Sequence, residues 1–204
     1  MIFSLRGRFC PTNGLLASMP LFSGWTPYVL LLTLLACFVL PSRSSALEGT
    51  LLTAVPVFDQ ALPALDGAAR SPAPKAGSLT LIHFFATWCG PCKEELQSLD
   101  RLYADFDSRA LNLVAIDVGE PEIRVRRFFA TLPVRFPVLL DEDRRAMKAW
   151  DVPAFPTTFV IAPDGASVIR IEGDRDWNDP AIRARLAAML DGIKLPQTPG
   201  KTGP

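Results

Sequence analysis

Histidine is almost missing from this chain. His83 is the only one, and of four cysteines two, Cys10 and Cys37, fall in the first forty residues. A zinc site needs about four protein ligands, or three in a catalytic centre, so these counts leave little room for metal chemistry. No charge excess of either sign exists: Lys+Arg and Asp+Glu are both 21. That argues against nucleic-acid binding driven by bulk charge. No glycine-rich phosphate loop and no Ser-His-Asp signature appears. No internal repeat appears, and the length fits one globular domain behind a leader.

What remains is Trp88-Cys89-Gly90-Pro91-Cys92-Lys93. The apolar run Leu81-Ile82-His83-Phe84-Phe85 before it reads as a buried strand, and the residues after Pro91 read as a helix. Cys89 then sits at a helix N-terminus, where the helix dipole and unpaired N–H groups stabilise a thiolate. Cys92 is spaced to reach the first sulfur and expel a bound partner. A haem-attachment C-x-x-C-H is excluded by Lys93, and a zinc site lacks further ligands. The pattern predicts a dithiol–disulfide exchanger with Cys89 attacking and Cys92 resolving.

The leader carries Arg6 and Arg8, then no charged side chain until Arg43. Its densest apolar stretch, Tyr28 to Leu40, fits the core of an export signal better than a span of about 20 residues. Ser44-Ser45-Ala46 suits a signal peptidase, with a mature start near Leu47. An uncleaved anchor over Leu15 to Leu40 and a lipidation box ending at Cys37 are the alternatives, and Met19 is a second candidate start. Each reading exports the domain into an oxidising compartment. The expected organisation is a leader over 1–46, a domain over 47–195, and a Pro/Gly/Lys-rich disordered tail over 196–204.

Within the domain, Leu62 to Gly67 suggests a short strand and turn, and Ser71 to Gly77 an exposed loop. A strand is expected over 79–85 and a helix over 91–106, with Leu96, Leu99, Tyr103 and Phe106 on one stripe. Leu111 to Val118 reads as a central parallel strand. A helix near 121–132, a short strand at 137–140 and a short helix at 142–150 follow. Thr157–Ile161 and Ser167–Ile171 read as a hairpin through Pro163-Asp164-Gly165. A last helix near 179–191 turns Ile182, Leu186, Met189 and Leu190 inward. The pattern is α/β with a mixed sheet.

The active-site segment Phe85 to Glu95, together with Val118-Gly119-Glu120, Phe136 to Asp141, Phe155-Pro156-Thr157-Thr158-Phe159 and Ala162 to Gly165, resembles the thioredoxin superfamily. More narrowly it resembles the bacterial TlpA/ResA-type oxidoreductases, cytochrome c maturation thioredoxins included, over roughly residues 50 to 191. The resemblance implies a thioredoxin-like fold with a mixed central sheet flanked by helices. It also implies a subfamily insertion between the second strand and the cis-proline strand.

It implies a cis Phe155-Pro156 bond beside the dithiol, with the Phe155 backbone free to pair with a substrate. Trp88, Gly90 and Pro91 complete the expected substrate surface, although Trp88 alternatively packs in the core. Pro153 is taken as structural. Glu95, one helical turn past Cys92, is expected near the dithiol, where a desolvated carboxylate moves protons. Many relatives carry a proline where this chain has Gln97. His83 stands where thioredoxin has a buried aspartate, as a neutral proton acceptor or a core residue. Lys93 adds positive potential or is simply solvated.

The implied function is an exported thiol-disulfide oxidoreductase, acting as a reductase of disulfides in exported proteins. It works without a cofactor beyond Cys89–Cys92, without metal and as a monomer, in the bacterial periplasm or at the outer face of the inner membrane. The implied electron donor is a membrane protein of the CcdA/DsbD type. Substrates of that kind include apocytochrome c cysteines or a metal-site disulfide in an oxidase. An oxidase or isomerase running in the opposite direction, and a metal-binding chaperone, are the alternatives. A peroxidase lacks its Pro-x-x-x-Thr-x-x-Cys context here.

Overall fold

The computed structural model describes residues 47–106 and 110–192. The expected leader and tail lie outside them. Among the described residues, no helix is long and apolar enough to cross a membrane.

The chain runs β1 (Thr50–Leu52), β2 (Leu62–Pro63), β3 (Ala69–Arg70), β4 (Leu79–Phe85), α1 (Gly90–Asp105), β5 (Leu111–Val118), α2 (Glu122–Thr131), β6 (Val138–Asp141), α3 (Arg145–Ala149), β7 (Thr157–Ile161), β8 (Val168–Glu172) and α4 (Pro180–Leu190). Six strands form one sheet in the order β1-β8-β7-β4-β5-β6. β4, β5 and β6 are parallel, and β7, β8 and β1 add antiparallel neighbours. This is the expected thioredoxin-like α/β fold. The α2-β6-α3 segment lies between β5 and β7, where the insertion is expected.

Every residue of β4 is buried. It is flanked by β5 and β7 and covered on both faces, which is why its sequence runs apolar without alternation. On one face α1 and α4 close a core around Phe85, Leu96, Leu99 and Leu186. On the other, Phe84, Trp150 and Phe159 pack edge to face.

Local chemistry sets the helix starts. Cys89 caps α1, and its sulfur accepts from the Cys92 N–H at 3.3 Å. Pro91 follows in the first turn, where its missing N–H costs nothing. Asp179 caps α4, again followed by a proline.

Several expectations need correction. Tyr103 and Phe106 lie only at the rim of the core, and Leu102 fills the interior position. Leu190 is half-buried rather than inward. The short helix starts at Arg145 because Asp141 to Arg144 form a turn whose Arg144 is left-handed. Within the loop expected to be exposed, Pro72 is buried and Pro74 half-buried. β1 has no counterpart among the expected elements; its short run owes its conformation to pairing with β8.

Candidate active site

The dithiol sits at the β4–α1 junction, as a disulfide between Cys89 and Cys92. Cys89 is 7% exposed and Cys92 0%. An incoming nucleophile or electrophile therefore has one sulfur to meet. On reduction, the N-cap position that accepts the Cys92 N–H holds the Cys89 sulfur where negative charge is favoured. Gly90 and Pro91 are exposed over the bond.

The Phe155-Pro156 bond is cis. Phe155 meets Trp88 edge to face at 5.9 Å. Trp88 is 68% exposed, so its core-packing alternative fails. Pro153 and Lys93 are exposed, and Lys93 makes no ion pair among the described residues.

Behind the disulfide lies a polar chain that only the fold assembles. Glu95 is 2% exposed and projects from the buried face of α1 beside Cys92. Its Oε1 accepts from Trp177 Nε1 at 2.7 Å and from Thr158 Oγ1 at 3.2 Å. Burial pushes the Glu95 carboxyl up to about 7, with the two hydrogen bonds opposing. Glu95 also borders a surface hollow of about 250 Å³ with Ser98, Arg101 and Arg175, but its side chain is fully buried and Oε2 has no hydrogen-bond partner.

His83 and Thr158 are cross-strand neighbours on β4 and β7. His83 Nδ1 lies 2.9 Å from Thr158 Oγ1 and 3.7 Å from Glu95 Oε1. Full burial pulls the imidazole down to about 3, so the histidine is neutral and this contact is not an ion pair. The Thr158 hydroxyl has one proton, and it goes to Glu95. His83 must then donate from Nδ1, leaving Nε2 as a bare, unpartnered acceptor. The ring stacks on Phe85 at 5.9 Å.

A second acidic group supports the active-site loop. Glu120 accepts from Thr87 N–H at 2.5 Å and Thr87 Oγ1 at 2.8 Å, tying the residue two before Cys89 to the end of β5. Arg124 approaches Glu120 at 3.6 Å. Asp117 is buried nearby with no hydrogen-bond partner on either oxygen. Burial first, then the neighbouring charge of Glu120, pushes it up to about 9. Asp141 instead caps α3 through the Ala146 and Met147 N–H groups.

The fold thus brings Cys89, Cys92, Glu95, Trp88, Phe155, Pro156 and His83 to one end of the sheet. Thr158, Trp177, Glu120 and Asp117 are given no role from the sequence. Thr158 and Glu120 do fall in segments that carry the resemblance, Phe155 to Phe159 and Val118 to Glu120; Trp177 and Asp117 have no visible signal.

Residues 54–169, which include the dithiol and the cis-proline, match the model of the AhpC/TSA family. The chain belongs to the AhpC/TSA family. As a thioredoxin-like member, it is 41% identical over 97 residues to the thiol-disulfide oxidoreductase ResA of Bacillus subtilis strain 168, covering 48% of this chain and 54% of that protein. A ResA of Bacillus cereus is 31% identical over 99 residues, 48% of this chain and 57% of the relative. The AhpC/TSA chain spans about half the length of these curated relatives. Among solved structures, a thioredoxin family thiol:disulfide interchange protein from Chlorobium tepidum TLS superposes with a TM-score of 0.57 at 27% identity, covering 66% of this chain and 96% of that one.

Proposed function

We propose that this chain is an exported thiol-disulfide oxidoreductase that reduces disulfides in exported proteins. The observation that carries the reading is the asymmetry of its disulfide: Cys89 caps a helix and keeps a small exposed fraction, and Cys92 is sealed behind it. The likeness to ResA supports the same chemistry.

In the reduced protein the Cys89 thiolate attacks a substrate disulfide, and one substrate sulfur leaves as a thiolate. A mixed disulfide remains. Cys92 loses its proton and attacks the Cys89 sulfur, and the second substrate thiolate departs. Two electrons pass to the substrate, whose two thiolates take up protons from solvent, and the chain ends as the Cys89–Cys92 disulfide. Glu95, with a carboxyl poised near neutrality and one helical turn from Cys92, takes the Cys92 proton as the resolving thiolate forms. Neutral His83 orients Thr158, which orients Glu95; it acts through them rather than on the sulfurs. Trp88, Gly90, Pro91, Phe155 and Pro156 form the surface that meets the substrate.

Re-reduction requires a dithiol donor, which we place in the membrane as a protein of the CcdA/DsbD type. The leader delivers the domain to the periplasm or the outer face of the inner membrane, where the chain works as a monomer. Substrates in cytochrome c or oxidase maturation fit that location.

Equilibrating the full chain with defined thiol–disulfide buffers tests the direction. A Cys89–Cys92 potential of about −250 mV or lower is expected, and a value near about −120 mV would overturn the reductase reading in favour of an oxidant.

A further inference from the structure

A hollow of about 200 Å³ lies against the dithiol loop, walled by Trp88, Val118, Gly119, Arg144, Met147 and Phe155. It is smaller than the roughly 300–1,000 Å³ of a site that encloses a small organic ligand. Its size suits one or two side chains of an extended polypeptide. Two walls belong to the loops that frame the redox centre. Trp88 directly precedes Cys89, and Phe155 directly precedes Pro156.

Five of the six lining residues are apolar or glycine. The sixth is a guanidinium in an unusual place. Arg144 is left-handed, with φ 61° and ψ 26°. That conformation crowds the Cβ of any residue but glycine, so the surrounding structure has to hold it. The Arg144 N–H donates to the Asp141 carbonyl at 3.0 Å, and the Arg144 carbonyl accepts from the Lys148 N–H at 3.1 Å. Its side chain turns back over Gly119, where an added Cβ would stand 2.5 Å from Arg144 Nε. Gly119 is itself left-handed, at φ 74°. Both backbones are thus committed to laying one cation along the hollow.

That cation is not neutralised. Among the described residues, no carboxylate lies within ion-pair distance of Arg144. The acids around it are engaged elsewhere. Asp143 pairs with Arg145, Glu120 with Arg124 and Thr87, and Glu142 accepts from the Glu122 N–H.

We propose that this hollow is a substrate subsite and that Arg144 sets its charge preference. It takes an apolar side chain next to the substrate cysteine, and the guanidinium pairs with the carboxylate of an adjoining Asp or Glu. The chain therefore exchanges with cysteines in acidic, apolar segments ahead of basic ones. The inference rests on Cys89–Cys92 as the exchange centre.

The test uses two peptides of equal length, each with one Cys-x-x-Cys pair and a flanking leucine. Two aspartates adjoin the leucine in one, and two lysines in the other. Exchange with the full chain is timed in both directions: reduced protein with peptide disulfide, and oxidised protein with peptide dithiol. The acidic peptide is expected to react about fivefold faster at low salt. The ratio collapses toward one at about 0.5 M salt. Arg144→Glu inverts it, Arg144→Lys keeps most of it, and Gly119→Ala, which displaces the guanidinium, lowers it. A folding defect slows both peptides alike and leaves the ratio in place. Equal rates for the two peptides, or a ratio untouched by Arg144→Glu, overturn the preference and leave the exchange centre standing. Exchange only with peptide dithiols overturns the reductase direction and leaves the preference standing. No exchange in either direction overturns both.

Discussion

The indole N–H of Trp177 donates to Glu95 Oε1 at 2.7 Å, across 82 residues of chain. Trp177 is held for this by its own N–H, which donates to Ser98 Oγ at 3.2 Å one turn along the same helix. A hydrogen bond to the ionised form opposes the burial that pushes Glu95 up to about 7. Trp177→Phe removes the donor and keeps most of the ring, so the Glu95 carboxyl rises further, by about one unit. The pH dependence of peptide–disulfide exchange reads this directly. Its inflection near neutrality moves to higher pH in Trp177→Phe and disappears in Glu95→Gln, with rates in the latter down about tenfold or more. An unchanged profile in both variants would remove Glu95 from the proton path.

The two sulfurs should differ in reactivity. Cys89, at a helix N-terminus, is 7% exposed, and Cys92 is fully enclosed. In the reduced chain at neutral pH, iodoacetamide should modify Cys89 at least about tenfold faster than Cys92, as read by peptide mapping. Cys92→Ser should accumulate the mixed disulfide with a peptide substrate, and Cys89→Ser should form none. Equal labelling would assign the attacking role to neither sulfur.

Asp117 makes stability depend on pH. Its folded value is about 9 against 3.8 for the free side chain. Well below pH 3.8 both folded and unfolded chains hold the proton, and the group adds no pH dependence. As pH rises toward 9 the unfolded chain releases the proton and the folded chain keeps it, so stability falls. Asp117→Asn has no proton to release. Its Tm advantage over the parent should grow between about pH 5 and about pH 8, by on the order of 5 °C. A difference that does not vary with pH would mean that Asp117 ionises normally in the fold.

Much of this molecule is written in short-range pattern. The largely apolar runs of β4 and β5, broken only by Thr80, His83, Asn112 and Asp117, announce strands covered on both faces, and the Pro/Asp/Gly turn announces the β7–β8 hairpin. Cys89-Gly90-Pro91-Cys92 identifies both the chemistry and the start of α1, because capping and proline geometry act over three or four residues. Most of the succession of strands and helices, the dithiol, and the carboxylate one turn beyond it are all legible at that range.

The surroundings of those groups are not. Whether Glu95 is a solvated helix residue, as exposed Glu94 is, depends on Trp177 and Thr158 arriving from distant segments. Neutral His83 follows from burial between β5 and β7, and no pattern in β4 encodes the Thr158 opposite it. Trp88 at the surface, Arg144 over Gly119, and β1 paired to β8 are likewise set by how remote parts of the chain meet. Desolvation and cross-strand pairing are properties of what packs against a residue, so they exist only once the sheet has closed.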